Sequence, residues 1–394
     1  MSLLGLSLAY LRDRLLGTCL NLLLLALGVG MIVLLLLFGA KLEERLTRDS
    51  AGIDLVIGAK GSPLQLILSS IYHLDIPTGN IPIAELDRWR RHELVEAVLP
   101  LALGDSLGGF RIVGTETVYA EHYDALPTKG ALWQAPFEAV LGSDVAAKTG
   151  LDVGDRFFGN HGLAPGGPAH SDNAYQVVGL LAPTAGVLDR LVLTGVESVW
   201  ASHGIEPTSA ERQQTVTALL LRHRSPIAAV QLPPLVNQTA GLQAASPALE
   251  MARLVSMIGI GTDAVSGFSL LLMATAGLSV FIGLASALQQ RRYDLAVMRV
   301  MGASPRMLLA QLLLEGLLLA LGGALLGLLL GHATASLLAA SFPGLETLGL
   351  SGRSFVFEEI YVIGLALLVG LIAALIPAIQ AYRTDIALIL ASGR

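Results

Sequence analysis

Four runs of this chain, about Leu15 to Ala40, Ser266 to Leu288, Met307 to Leu330 and Ile360 to Ala381, are apolar and almost free of charge. One helical crossing of a hydrocarbon core needs roughly 20 such residues, and each run has them. In lipid only helices and closed barrels satisfy their own backbone groups. Barrel strands alternate apolar and polar residues, so runs this continuous are helical. The spacing is uneven, with over 200 residues of ordinary mixed composition between the first and second runs. The whole chain is 53% hydrophobic and only 14% charged, against about 25% charged in a soluble domain. The expected fold is a membrane protein with four transmembrane α-helices plus a large mixed α/β extracytoplasmic domain inserted between helices 1 and 2.

Charge sets the orientation. Arg12 and Arg14 precede the first run, Arg291, Arg292, Arg299 and Arg306 fall between the second and third, and Arg383 and Arg394 follow the fourth. Four crossings put all of these on one side, which the positive-inside rule makes the cytoplasm. Both termini are then cytoplasmic, and the insert lies in the periplasm or outside the cell. Residues 41–263 hold 16 Lys+Arg and 24 Asp+Glu, a net of −8, while the rest hold 9 and 7, a net of +2. The acidic character is therefore outside. A cleaved signal peptide is not expected, because the first run far exceeds a 7–15 residue h-region and Phe38-Gly39-Ala40 is a poor cleavage signal. The expected division is an interfacial elbow helix over 1–16, broken by Gly17-Thr18, the first transmembrane helix over 17–40, the inserted domain over 41–262, and the remaining three helices over 263–394.

The link Gln289 to Arg306 is basic and amphipathic. Leu295, Met298 and Gly302 recur at i, i+3 and i+7, giving a short helix with one apolar face. Gly302 supplies its stop, Ser304 an N-cap and Pro305 the first turn of the next helix. Such a small rigid helix under the membrane is suited to receive a push from a cytoplasmic partner.

The spans are built for packing. Gly322 and Gly323 are followed by Gly327 and Gly331, a GxxxG spacing that lets helix backbones approach closely in lipid. Gly364, Gly370, Ala373 and Ala374 follow the same logic in the fourth run, where Pro377 is a possible bend. Glu315 is the exception among nearly uncharged spans, an intramembrane carboxylate and so a functional candidate, with contact to a neighbouring helix near the cytoplasmic interface as its plainer role. Asn21 is a possible interhelical hydrogen-bond donor. Cys19, the one cysteine, is a small packing residue, so no disulfide framework exists. Neither a proton relay nor a ring of carboxylates is present.

In the insert, strands are expected at Asp54–Ile57, Phe110–Val113, Phe137–Leu141 and Tyr175–Leu181. Ser143 to Thr149 reads as a helix capped by Ser143 and stopped by Gly150, followed by a turn into a strand at Arg156. Residues 159–173 are rich in Gly and Pro and read as a connection. Residues 59–81 are apolar but too short to span. They form either an amphipathic helix packed on its own domain or one facing the membrane or a partner. His161 and His170 with Asp172 match no standard ligand spacing, and no metal is expected. His73, Asp75 and a serine lack a nucleophile elbow. No G-x-x-x-x-G-K-[ST] loop occurs, so the chain is expected to bind no cofactor, and any ATP is bound by another subunit.

Gln290-Arg-Arg-Tyr-Asp-Leu-Ala-Val-Met-Arg-Val-Met-Gly-Ala-Ser304 with Leu312-Leu-Leu-Glu-Gly-Leu-Leu318, Val140 to Asp155, and Ile376-Pro-Ala-Ile-Gln-Ala-Tyr-Arg383 together resemble the FtsX-like, MacB-type permeases of ABC transporters over nearly the whole chain. The resemblance implies a non-catalytic permease working with a separate ABC ATPase, since the ATPase fused in MacB has no counterpart here. It further implies a second permease copy or a paralogue, contact with membrane lipids, and a possible periplasmic adaptor or outer-membrane partner, with no nucleic acid. Arg291, Arg292, Asp294, Leu295, Met298, Arg299, Gly302 and Ser304 would couple to the ATPase, within a coupling helix over 291–304. Gly323, Gly327, Gly331 and Glu315 would pack the helices. ATPase motion would reach an outer domain that handles lipid, lipoprotein, peptide or drug cargo; the alternative is a regulator of an extracytoplasmic enzyme such as a cell-wall hydrolase. Localisation is expected in the inner membrane.

Overall fold

A computed structural model describes residues 3–162, 173–205, 214–342 and 350–383. Arg394, His170 and Asp172, named above, lie outside these residues. The chain divides into two compact units, Met1–Glu44 with Ile258–Arg394, and Arg45–Met257.

The chain begins with α1 (Leu3–Asp13) and α2 (Leu15–Asp49). The break falls at Arg14, not at Gly17-Thr18; both of the latter are helical, and the Thr18 hydroxyl donates to the Leu11 carbonyl at 2.9 Å across the break. Next come β1 (Leu55–Ala59), α3 (Pro63–Ser70), β2 (Ile81–Pro82), α4 (Ala84–Arg90), β3 (Val95–Leu107), β4 (Phe110–Thr115) and α5 (Val118–His122). The middle of the chain forms β5 (Pro127–Gly130), β6 (Glu138–Leu141), α6 (Ser143–Thr149), β7 (Arg156–Phe157), β8 (Asn160–His161), β9 (Tyr175–Leu181), β10 (Leu191–Gly195) and α7 (Val196–Ser202). It continues through β11 (Thr215–Val216), β12 (Ala218–His223), α8 (Ala228–Asn237) and β13 (Leu242–Ala245). The last helices are α9 (Pro247–Gln290), α10 (Arg292–Val300), α11 (Pro305–Ser341) and α12 (Glu359–Tyr382).

The inserted unit is a mixed sheet in the order β13-β1-β12-β3-β4-β10-β6-β9-β5. Its β4–β10 and β6–β9 pairs are parallel and the other neighbours along that path are antiparallel. Strand β3 joins the two halves, pairing with β12 from Val95 to Leu101 and with β4 from Ala102 onward, with a register shift in the β4 pairing between Leu103 and Ser106. One core packs Trp89, Leu219, Leu221, Leu232 and Val236 around β1 and β12; the other packs Ile112, Leu141, Tyr175, Val177 and Val192. Residues 59–81 pack on their own domain. Leu66, Ile67 and Ile71 are fully buried, and Gly58 makes the room, because a Cβ there would stand 2.4 Å from Leu66. Only Leu74 and Ile76 of this stretch remain exposed apolar residues. Helix α6 is capped by Gly142 instead of Ser143, which is its first helical residue, and Gly150 ends it at φ +72°. That left-handed conformation is why glycine stands there.

His73 lies wholly inside this domain, 3.2 Å from the Tyr119 hydroxyl. Burial, then the Arg111 and Arg190 guanidiniums, holds its ring well below the ordinary value of 6.5. Burial lowers His122 in the same direction. The unfolded chain takes up a proton below about 6.5 that the folded ring refuses, so stability is intact above that pH and is lost as pH falls through it. Tryptophan fluorescence isolates this domain, because Trp89, Trp133 and Trp200 are the only tryptophans. Its melting temperature should drop between about pH 7.5 and 5.5. His73→Asn, which tolerates the φ of +53° at this position, should reduce the drop. An unchanged drop would place the proton elsewhere.

Among the described residues, the other unit holds four helices long and apolar enough to cross a membrane, of 35, 44, 37 and 24 residues. The first three overrun the expected spans. Helix α2 continues through Lys41–Arg48, which contain no breaker before Gly52. At 1.5 Å per residue α2 is about 52 Å long and α9 about 66 Å, against about 30 Å of hydrocarbon. Helix α11 is the packing centre. A Cβ on Gly323, Gly327 or Gly331 would fall within 2.5–2.8 Å of Leu25, Val29 or Val33 on α2. A different face meets α12, where Gly316 and Gly370 stand opposite Ala374 and Ala320. Gly364 faces open space and is exposed, so it is not part of that contact. Helix α12 runs unbroken through the buried Pro377.

Candidate functional site

The basic link folds as expected locally. Helix α10 ends at Gly302, whose φ of +101° suits only glycine comfortably. Ser304 has the extended conformation of an N-cap, its hydroxyl accepts from the Met307 N–H at 3.3 Å, and Pro305 opens α11. This stop-and-restart fixes α10 rigidly between α9 and α11.

The two faces of α10 differ. Leu295 and Ala296 are buried, and Leu295 joins Leu284, Leu288, Leu308 and Leu312 in the core of the helix bundle, with Met298 packed against it. The apolar face read from the periodicity is therefore turned onto the chain's own helices. Tyr293, Asp294, Val300 and Met301 are exposed, as are Gly302 and Ser304, while Arg299 is half-buried. The Arg292 side chain lies outside the described residues. Val300 and Met301 carry no signal in an i, i+3, i+7 pattern, since each neighbours the expected face without belonging to it.

Arg291 anchors the junction between α9 and α10. Its guanidinium lies 3.6 Å from the centroid of the Tyr10 ring, donates to the Tyr10 carbonyl at 3.4 Å, and stands 3.8 Å from Asp13. A cation over an aromatic face contributes more once removed from water, and this side chain is only 11% exposed. Arg14 donates to the Gln290 side chain and to the Gly283 carbonyl. The elbow helix is thus clamped onto the link by two arginines. Beside them is a cleft of about 90 Å³ lined by Arg14, Asn21, Arg291 and Glu315, among others. Glu315 is buried, and Gln311 donates to it at 3.5 Å. A buried carboxylate needs such company, since isolated charge in an apolar medium is costly. Asn21 is buried against Gly283, and its Oδ1 finds no hydrogen-bond partner among the described residues.

A second polar contact, which sequence spacing did not suggest, ties the far end of α11 to α12. His332 Nε2 is 3.0 Å from Glu359 Oε2, its Nδ1 donates to the Gly352 carbonyl at 2.9 Å, and Glu359 Oε1 accepts from the Val356 N–H at 3.0 Å. Both ring nitrogens thus face acceptors, and the contact fixes the His332 ring against the start of α12.

No arrangement of nucleophile, base and oxyanion donors accompanies these sites among the described residues; the contacts here hold helices together. The model for the FtsX-like permease C-terminal region matches residues 266–386, and the model for the MacB-like periplasmic core domain matches 18–239, more than half of the chain. Among solved structures, the periplasmic region of MacB from Actinobacillus actinomycetemcomitans is 12% identical, with 52% of this chain and 95% of that one covered at a TM-score of 0.35. The extracellular domain of the noncanonic ABC-type transporter YknZ from Gram-positive bacteria is 11% identical, covering 49% and 98% at 0.31. A domain of a putative permease protein from Porphyromonas gingivalis is 14% identical, covering 49% and 88% at 0.29. No curated relative matches the chain.

Proposed function

The chain belongs to the FtsX-like permeases that carry a MacB-like periplasmic core domain, and on that premise we propose that it is the membrane subunit of an ATP-driven transporter whose outer domain handles amphipathic cargo. A separate ATPase docks on α10 and supplies the motion. The spans offer little polar lining, so energy crosses the bilayer as helix movement and cargo is a lipid, lipoprotein, peptide or drug met outside. Both termini are cytoplasmic, and the permease works as a pair.

The observation that carries this reading is the division of α10 into a face locked in the bundle by Leu295 and Met298 and an exposed face of Tyr293, Val300 and Met301. A helix held this way moves only when its bundle moves. Met301→Glu, at a residue 75% exposed, should leave folding nearly unchanged, since surface substitutions stay within about ±0.5 kcal/mol. A charge placed in an apolar hot spot should weaken ATPase binding by on the order of 2 kcal/mol, about thirtyfold. Co-purification and cargo-stimulated ATP hydrolysis measure this. Met298→Glu should instead lower the bundle's own thermal stability. Wild-type coupling in both Met301→Glu and Val300→Glu would sink the docking face. ATP-dependent activation of an outer enzyme with no cargo bound would favour the regulatory role.

A further inference from the structure

In the inserted domain, three side chains from distant parts of the chain converge at the bulge of β3. Asp105 lies in the register shift between Leu103 and Ser106, where the pairing of β3 with β4 is interrupted. Such bulges re-aim side chains, and the Asp105 side chain is fully buried. His161 stands directly opposite it on β8, and His203 follows the C-terminal end of α7. The ligand atoms of all three lie within 4.8 Å of one another. We infer that Asp105, His161 and His203 form a binding site for a divalent transition cation, with Zn²⁺ the ion that fits best.

The distances favour a shared ion over direct bonds. His161 Nδ1 and His203 Nε2 stand 3.5 and 3.6 Å from Asp105 Oδ1, beyond the 2.7–3.2 Å of a good N–H···O bond. Two donors on a tetrahedral Zn²⁺, each at about 2.0–2.2 Å, stand roughly 3.3–3.6 Å apart. One ion placed among the three would therefore need little movement. Imidazole and carboxylate together suit zinc, whereas magnesium and calcium prefer oxygen alone.

The groups behind the ligands are also arranged for this. His203 Nδ1 lies 2.7 Å from the Val199 carbonyl. A carbonyl only accepts, so Nδ1 carries the proton and Nε2 turns its lone pair toward Asp105. The Ser202 hydroxyl lies 3.2 Å from Asp105 Oδ2, on the carboxylate oxygen away from the one both histidines approach. Metal-bound histidines and carboxylates are held by hydrogen bonds of this kind. His161 is 46% exposed and gives the ion its way in. Three protein ligands leave the fourth position to water or to a donor on a bound molecule. Sequence spacing hid the site, because β-pairing and α7 bring its members together.

The test uses the full-length protein in detergent, without a histidine tag, stripped by a chelator and then titrated with Zn²⁺. We expect one equivalent retained after dialysis and a higher melting temperature by tryptophan fluorescence. His161→Ala and His203→Ala should abolish retention, and Ser202→Ala should weaken it by about 10–100-fold. His161 is on the surface, so its variant should melt like the stripped wild type and show that folding is intact. Replacing Zn²⁺ by Co²⁺ should give the visible absorption of a tetrahedral site. No retained zinc in the wild type, or unchanged affinity in the folded His161→Ala and His203→Ala proteins, overturns the site.

Discussion

Gly327→Leu is expected to disrupt the helix bundle, the largest loss of stability anticipated from a single replacement in this chain. Even the first carbon of a side chain at 327 would stand 2.5 Å from the Val29 Cβ and 2.9 Å from the Ala26 carbonyl oxygen. Overpacking usually costs about 1–3 kcal/mol when side chains can shift. Here part of the obstacle is backbone, and in lipid no hydrophobic gain compensates for helices forced apart, so the cost should reach at least about 3 kcal/mol. Gly364→Leu is the control, since nothing lies within 4 Å of a Cβ there. Monodispersity after heating in detergent, read by size-exclusion chromatography, should fall sharply for the first variant and stay at wild type for the second. Equal behaviour of the two would show that α11 does not meet α2 along this ridge.

Glu359→Ala should come next. The carboxylate is fully buried and serves both His332 and the Val356 N–H. Removing one partner leaves buried hydrogen-bonding groups unsatisfied, at a cost of about 1–3 kcal/mol. The segment from Leu350 to Glu358 should loosen most, because His332 also holds the Gly352 carbonyl. Limited proteolysis should then cut in that segment, whereas Glu359→Gln, which keeps one acceptor oxygen, should be cut less. Resistance equal to wild type in Glu359→Ala would mean that the contact holds nothing in place.

What the residues disclosed beforehand follows their range of action. The stop at Gly302, the cap at Ser304 and the end of α6 at Gly150 are local backbone effects, and the strand Tyr175–Leu181 follows from its own composition. Periodicity showed that α10 has an apolar face but not whose core it enters; Leu295 answers to Leu308 and Leu312, which lie in another helix. The extra length of α2 leaves no mark in the apolar runs because Lys41 to Arg48 are mostly polar yet still good helix formers. The spacing of His161, His170 and Asp172 pointed to no ligand set, while Asp105 and His203 reach His161 only through strand pairing and the end of α7. His332 and Glu359 lay at the margins of apolar runs, where isolated charges look like ordinary boundary residues.

The glycine ridge has a consequence for assembly. Its close-approach surface is already occupied by α2, and the second small-residue face of α11 by α12. A second copy of the chain cannot use either one. Helix α9, the least covered of the four spans, instead offers Phe268, Leu271, Leu278 and Ile282, all exposed. Copies meeting there would mesh bulky side chains and could not bring backbones together, a looser kind of contact than the one inside each chain. Such an interface would separate and rejoin without disturbing the fold of either partner, leaving the strong joints inside each chain.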